Sequence, residues 1–210
     1  MKILVTAATQ GEIELFAATV NTVIDTLVSG VGTGSTVYHL QKRLHQIDYD
    51  MVIQAGIAGS FVDNIKPGQT VLVKQDCWGD LGTEEKQIFQ TVFEAGLTDA
   101  NEFPFTNGWL LNEHKILDQS ILPKVKAVTV NKISDSELQK QQIFQAFHPG
   151  IESMEGAALH YVCLMENIPF LQIRSISNYV GEREKSKWKM REALQQLNAE
   201  LSILINLLTY

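Results

Sequence analysis

The chain has 210 residues, of which 45% are hydrophobic and 20% are charged, so it is large enough to bury one substantial core. Its formal net charge of −7 disfavours nucleic acid and anionic membrane surfaces as partners. No apolar run approaches the roughly 20 residues that span a bilayer. The N-terminus also lacks a signal-peptide pattern. We therefore expect a soluble, cytoplasmic protein.

Alternating apolar stretches and turn residues predict strands that alternate with helices. In chain order, the first predicted elements are a strand over 2–8, a helix over 11–20, a strand over 22–28, a glycine-rich turn over 30–35, an amphipathic helix through 38–44, strands over 51–54 and 70–73 and a polar loop over 78–85. After a mixed segment over 86–124 come a strand over 125–130, a helix over 137–147, a helix opening at Met154–Glu155, a strand over 170–173 and a closing helix over 185–208. This order predicts one doubly wound α/β domain over residues 1–210.

Two glycine-rich segments follow predicted strands, at residues 30–35 and at residues 55–60. The first is neither a P-loop nor a G-x-G-x-x-G fingerprint. Gly56 and Gly59 belong to the second. Each segment is a tight turn or a place where the backbone approaches a ligand closely, and the residues alone do not decide between these interpretations.

Two carboxylates and one amide are candidate site residues. Glu12 falls in the first turn of a predicted helix, where an exposed carboxylate is also stabilised by the helix dipole. Glu155 opens another helix, where it is either a capping residue or a ligand-binding residue. Asn178 is predicted to follow the end of a strand, which is where open α/β sheets hold ligands. Cys77 and Cys163 have no metal-ligand spacing, and we expect no metal or cofactor.

The motif Met-Glu-Gly-Ala-Ala over 154–158, followed by Val-Cys, Pro-Phe and Arg-x-Ile-Ser, resembles the purine nucleoside phosphorylase and nucleosidase superfamily. The specific forms ESMEGAA and RSISNYV are most similar to its futalosine hydrolases, which act in the alternative menaquinone pathway. This resemblance implies a single three-layer α/β/α domain with a mixed central sheet. It also implies a small-molecule nucleoside substrate and a homodimer or larger homo-oligomer.

The resemblance also assigns roles to individual residues. It implies that Glu12 activates the attacking water, and that Met154 and Glu155 bind the ribose. In the phosphorylases, the second glycine segment reads Gly-Ser-x-Gly and its serine helps to hold phosphate. Here Ile57 stands at that serine, before Gly59, and an isoleucine side chain donates no hydrogen bond. The nucleophile is therefore expected to be water.

Asn178 stands where the adenosine-type nucleosidases carry an aspartate. An amide cannot act as a Brønsted acid, but it can both donate and accept a hydrogen bond. That combination suits a 6-oxopurine, which presents O6 beside a protonated N7. The expected leaving base is therefore hypoxanthine, the base of futalosine.

The segment after Asn178 is basic and contains five of the 17 lysines and arginines within nine positions, from Arg183 to Arg191. Interleaved glutamates favour a solvated helix start. The alternative is that Arg183 or Arg191 binds the carboxylate at the 5′ end of futalosine, since arginine pairs with carboxylates bidentately. Three other functions stay open: a purine nucleoside phosphorylase, another nucleosidase of the inosine or methylthioadenosine type, and a non-catalytic nucleoside sensor. Ile57 argues against the phosphorylase, and Glu12 argues against the sensor.

Overall fold

The computed structural model describes residues 1–17 and 24–209, and all structural statements concern these residues. The strands are β1 (Ile3–Ala7), β2 (Ile24–Val28), β3 (Met51–Ser60), β4 (Thr70–Asp76), β5 (Gly82–Glu85), β6 (Ile88–Thr91), β7 (Leu110–Leu111), β8 (Lys124–Thr129), β9 (Ile151–Ser153) and β10 (Phe170–Tyr179). The helices are α1 (Gln10–Ala17), α2 (Thr33–Leu44), α3 (Ile116–Gln119), α4 (Glu137–Phe147), α5 (Gly156–Met165) and α6 (Met190–Thr209). The parts of the predicted helix 11–20 and strand 22–28 that fall within 18–23 lie outside the described residues.

One mixed sheet organises the described chain. Its strand order is β10-β4-β8-β9-β3-β1-β2, and β10 also pairs with β3. The path from β3 through β10, β4, β8 and β9 therefore returns to β3, so this part of the sheet closes on itself. The closure departs from the open doubly wound sheet predicted above. It arises because the carboxyl end of β3 pairs with β10 on one side and with β9 on the other.

Helices cover both faces of the sheet. On one face, α1 and α6 pack against alternate residues of the first strand, including Ile3 and Val5. On the other face, α2 and α5 pack against each other and against Leu4, which points the opposite way along the same strand. This is the three-layer α/β/α arrangement with a mixed central sheet. Within the described residues, no helix is both long and apolar enough to cross a membrane.

The second glycine segment is not a tight turn, which excludes one of the two interpretations above, and the predicted end of the strand at residue 54 was wrong. The strand β3 runs through it to Ser60, because Ala55 to Ser60 pair with β10. Glycine is usually unfavourable in a strand interior and often marks a close approach of another group. The first glycine segment is a turn, as predicted, with Gly30 and Gly32 at φ +83° and +87°.

Three further boundaries were also wrong. The strand β10 continues to Tyr179, so Asn178 lies within a strand instead of after it; pairing with β3 resumes there after a bulge between Ile176 and Asn178. The closing helix begins at Met190, because a single 3₁₀ turn takes up Lys185–Lys187. The predicted polar loop over 78–85 ends in β5, which forms a hairpin with β6.

Candidate active site

The residues singled out in the sequence converge on one cavity of about 330 Å³. It lies where β3, β9 and β10 meet the first turns of α1 and α6. Six of the eight candidates line it, namely Glu12, Ile57, Gly59, Met154, Glu155 and Asn178. Arg183 and Arg191 do not line it, and both are exposed. The fold thus assembles residues from four separate parts of the chain.

Glu12 is a buried carboxylate held at the start of α1. Its Oε2 atom accepts hydrogen bonds from the backbone N–H and the hydroxyl of Thr9, at 2.9 and 3.0 Å. Its Oε1 atom accepts one from the backbone N–H of Ile57 at 3.2 Å. Asn198 on α6 fixes the position of α1, because its side-chain amide donates a hydrogen bond to the Glu12 carbonyl at 2.9 Å. The Glu12 carboxylate is therefore oriented before any ligand binds.

Glu155 is the residue that precedes α5, and it joins the glycine turn to the sheet. Its Oε1 atom accepts a hydrogen bond from Gly32 N–H at 3.0 Å, and Oε2 lies 3.7 Å from Arg174 Nη1. Burial raises the pKa of Glu155, while the Arg174 guanidinium and the Gly32 N–H oppose that rise. The first glycine turn thus contributes a backbone donor that fixes this carboxylate.

Arg174 is a site residue that the sequence reasoning did not assign. It lies on β10 and is 1% exposed, and it also donates to the Gln54 side chain. A Cβ at Gly56 would overlap its guanidinium and would lie 3.0 Å from Glu12 Oε1. Gly56 therefore has no side chain because the arginine and the Glu12 carboxylate occupy that space. The available signal was an arginine directly after the predicted buried strand over 170–173.

A second buried network fixes the first turn of α5, next to Glu155. The Thr129 hydroxyl donates to Asp76 Oδ1 at 3.0 Å and accepts from Ala157 N–H at 2.7 Å. A Cβ at Gly156 would overlap Asp76 and Gln172, so this glycine lets the helix approach the sheet. Burial raises the pKa of Asp76 to about 7. The glycine at position 156 of the sequence motif is therefore explained by close packing of α5 against the sheet.

The amide of Asn178 has a defined orientation. Its Nδ2 donates to the carbonyl of Tyr179 at 2.9 Å, and its Oδ1 accepts from the Ser177 hydroxyl at 2.7 Å. Because a carbonyl only accepts, the nitrogen must face Tyr179. One N–H and one lone pair are left over, so the amide can still donate one hydrogen bond and accept another toward the cavity.

The anion-binding capacity of the cavity is low. No arginine or lysine is among the described residues that line it, whereas three glutamates, Glu12, Glu152 and Glu155, are. At the position of Ile57, the protein offers a hydrocarbon side chain, and the backbone N–H is already bonded to Glu12. Nor do the described residues contain a group of three or more His, Cys, Asp or Glu that could hold a metal ion.

A large part of the remaining cavity wall is apolar and was not predicted. Its larger apolar residues are Val31, Val130, Ile133, Trp188, Met190 and Leu194, and the small or polar residues Ala8, Thr9, Gly11, Ala58, Glu152, Ser153 and Ser177 complete the lining. The Trp188 indole N–H donates to the Glu182 carbonyl at 2.9 Å, which fixes the ring. The Arg183 guanidinium lies 5.7 Å from the centroid of that ring. Arg183 thus adjoins Trp188 of the cavity wall, although Arg183 does not itself line the cavity.

Comparisons with known proteins agree with this arrangement. The family model described as "Phosphorylase superfamily" matches residues 5–206. A futalosine hydrolase of Streptomyces coelicolor is 27% identical over 180 residues, which cover 82% of this chain and 74% of that protein. A structure of futalosine hydrolase of Helicobacter pylori superposes with a TM-score of 0.80 at 17% identity, and covers 98% of this chain and 97% of that one. The same organism's 5′-methylthioadenosine/S-adenosylhomocysteine nucleosidase, solved with butyl-thio-DADMe-Immucillin-A, superposes with a TM-score of 0.79. It is 17% identical, and the match covers 98% of each chain.

Proposed function

Because the chain belongs to the phosphorylase superfamily, we propose that it hydrolyses the N-glycosidic bond of futalosine and releases hypoxanthine and dehypoxanthine futalosine. The protein is an N-glycosyl hydrolase, and its curated relatives are named futalosine hydrolases. What we propose beyond this is that futalosine is the substrate and that the enzyme acts in the alternative menaquinone pathway.

One observation carries the proposal: Glu12, Glu155 and Asn178 line a cavity in which no described basic side chain takes part. A phosphate dianion needs cationic or multiple hydrogen-bond partners, since desolvating an unpaired charge is costly. The side chain of Ile57 provides none. This favours water over phosphate as the nucleophile.

In the proposed mechanism, Glu155 accepts hydrogen bonds from the ribose 2′ and 3′ hydroxyls, and Met154 packs against the sugar. Glu12 accepts a proton from a water molecule that attacks C1′, because one lone pair of Oε1 is not used by Ile57 N–H. The C1′–N9 bond breaks as positive charge develops on the sugar, as in glycoside hydrolysis generally. The two carboxylates stabilise that charge.

Asn178 contacts the leaving base in this proposal. Its remaining N–H donates to O6, and its remaining lone pair accepts from a protonated N7. A 6-amino group would meet the amide N–H with another donor, and the pair would stay unsatisfied. This supports hypoxanthine over adenine as the released base.

The 5′ group of futalosine would lie along the apolar wall. Trp188 offers an aromatic face to its benzoate ring. Neither arginine lines the cavity, but Arg183 is the better candidate for the carboxylate, because its guanidinium lies over the ring of Trp188 in the cavity wall. We further propose a homodimer or larger assembly, in keeping with the exposed side chains of Val31, at the cavity, and Tyr38 on α2. Light scattering of the purified protein tests the assembly.

The test of the function is base release from purified protein. Futalosine, inosine and 5′-methylthioadenosine are each incubated with and without phosphate, and the free bases are separated by chromatography. We expect hypoxanthine release from futalosine at a rate that phosphate does not change. Adenine release from 5′-methylthioadenosine as the main activity would instead assign the protein to the nucleosidases of that substrate.

A further inference from the structure

Glu152 is a carboxylate in the cavity that has no role in the mechanism above. It lies on β9, is 7% exposed and lines the cavity. Among the described residues, none donates a hydrogen bond to its side chain or forms a close ion pair with it. Both other cavity glutamates, Glu12 and Glu155, are hydrogen-bonded to the protein. A buried carboxyl that the protein leaves without a partner is available to a ligand.

The sheet register places Glu152 in the same row as the base-contacting Asn178, with Gly59 between them. Glu152 pairs with Gly59, and Gly59 pairs with Asn178 on the next strand. Side chains in one row of a sheet project from the same face, and two strand spacings separate these residues by about 10 Å between Cα atoms. Gly59 has no side chain to fill the slot between them. A Cβ at Gly59 would lie 3.2 Å from Val180 Cγ2, 3.5 Å from Glu152 Cγ and 3.6 Å from Asn178 Nδ2. The Glu152 and Asn178 side chains thus border one slot.

The proposed reaction lacks a proton donor for the leaving base. A purine is expelled more easily when N7 is protonated, because the departing base is then neutral. Asn178 cannot supply that proton, since an amide is not a Brønsted acid. Glu152, the titratable side chain that borders the slot over Gly59, can supply it.

We propose that Glu152 is the general acid of this enzyme and donates its carboxyl proton to N7 of the leaving purine. The inference rests on the proposed function and adds a catalytic residue to it.

The step balances without any further reactant. The Glu152 O–H bond breaks and an N7–H bond forms, while the electron pair of the C1′–N9 bond passes to the base. The new N7–H then donates a shared hydrogen bond to the Glu152 carboxylate and to Asn178 Oδ1. The Glu12 carboxylate takes one proton from the attacking water, whose oxygen forms the new bond to C1′. After hypoxanthine leaves, Glu12 is protonated and Glu152 is ionised. Proton exchange with solvent returns both to their starting states, and one water molecule is consumed.

The environment of Glu152 suits this role. Its pKa is raised to about 7, chiefly by burial; the Arg183 guanidinium opposes this rise, and the Asp80 carboxylate adds to it. Glu12 and Glu155 are the other titratable groups that line the cavity. A catalytic acid works best when its pKa lies near the working pH. Because Glu152 must be protonated, turnover is expected to fall as the pH rises through about 7.

The test compares two leaving groups in Glu152→Gln. Glutamine has nearly the same shape and keeps a hydrogen-bonding end, but it cannot donate a proton as an acid. We expect turnover of futalosine to fall about 100-fold or more, and the loss of rate above neutral pH to disappear. Turnover of 4-nitrophenyl β-D-ribofuranoside is expected to stay near the wild-type rate, because its phenolate leaves without being protonated. Glu14→Gln, an exposed change on α1, serves as the control.

Equal losses on both substrates, or an unchanged pH profile, would overturn the inference. So would near-normal futalosine turnover by Glu152→Gln, and in that case the proposed function stands. If the wild-type protein hydrolyses another nucleoside and not futalosine, the proposed substrate is wrong, and the same two-substrate comparison is made with that nucleoside. If it hydrolyses no nucleoside, both proposals fail.

Discussion

The two oxygens of the Glu12 carboxylate have different surroundings, and Thr9 is the reason. Thr9 donates two hydrogen bonds to Oε2, at 2.9 and 3.0 Å, while Oε1 receives only the Ile57 N–H at 3.2 Å. Oε2 therefore caps the start of α1, in the way that a glutamate in the first turn commonly accepts a hydrogen bond from the residue before the helix. Oε1 keeps a lone pair at the cavity. The Glu12 side chain thus caps the helix through Oε2 and keeps a lone pair on Oε1 that can accept a proton.

Glu12→Gln should bind the nucleoside but lose about 100-fold or more in kcat, since a positioned general base contributes roughly 10²–10⁴-fold. An amide is not basic. If its oxygen stays with the Thr9 donors, its NH₂ faces the Ile57 N–H, so a donor meets a donor. Steady-state kinetics with futalosine measure the loss, and binding is measured by calorimetry.

Glu14→Gln is the matched control for this change, because Glu14 lies on the same helix and is exposed. It should keep the wild-type rate. Near-normal hydrolysis by Glu12→Gln would mean that Glu12 only caps α1.

Asn178→Asp should change the preference between bases. The aspartate would lack the N–H that the proposal directs toward O6, and a carboxylate accepts a hydrogen bond from a 6-amino group. An unsatisfied buried polar group costs about 1–3 kcal/mol, which is roughly 5- to 150-fold in rate. We expect kcat/KM for futalosine to fall relative to its 6-amino analogue.

The ratio of the two kcat/KM values is the readout, because it cancels any general loss of activity. Such a loss is expected, since the Tyr179 carbonyl that now accepts from Asn178 Nδ2 would face a carboxylate oxygen. An unchanged ratio would show that Asn178 does not distinguish the two bases.

The sequence predicted the helix-start positions of Glu12 and Glu155 because helix starts have local signals, namely acidic first turns and the breaks before them. It did not predict that β3 runs through Gly56 and Gly59, because glycine disfavours strands locally and only pairing with β9 and β10 keeps it extended there. Tertiary pairing therefore determined this part of the site.

Arg174 and Glu152 were missed for a related reason. Each lies in a strand, where a charged residue is expected to face solvent. Their burial follows from the closure of the sheet and from the approach of α1 and α5, both of which are long-range contacts. No local pattern in a single sequence encodes such contacts.

Gly56→Ala should destabilise the protein and lower its activity, because the new methyl group would overlap the Arg174 guanidinium. The guanidinium must then move away from Glu155, with which it forms a buried ion pair. Inserting a methyl group into packed surroundings costs about 1–3 kcal/mol. Urea unfolding measures the change.

Gly34→Ala is the matched control, since no atom lies within 4 Å of the added carbon and the residue is in α2. It should stabilise the protein by about 0.4–1 kcal/mol, because alanine restricts the unfolded chain. Equal stabilities of the two variants would contradict the crowding at Gly56.

Asp76 should make the free energy of unfolding depend on pH. Its pKa is about 7 in the folded protein and about 3.9 in an unfolded chain. Between these values the folded state holds a proton that the unfolded state has lost, so this contribution to stability is complete below about pH 4 and is lost as the pH rises through about 7. The buried His160 opposes the trend, because burial lowers its pKa to about 4.

Asp76→Asn removes the Asp76 contribution and keeps the oxygen that accepts from Thr129. Relative to the wild type, the variant should therefore gain stability as the pH rises from 5 to 8. Urea unfolding at both pH values measures this. A difference between the two proteins that does not change with pH would show that Asp76 titrates normally.

Hydrolysis of futalosine in heavy-oxygen water, with phosphate present, is the most direct test of the central claim. Mass spectrometry of the products shows which nucleophile reached C1′. The account predicts free hypoxanthine and a sugar that carries the heavy oxygen, because Glu12 activates water and the Ile57 side chain offers phosphate no partner. A sugar 1-phosphate, or no release of hypoxanthine from futalosine, would contradict it.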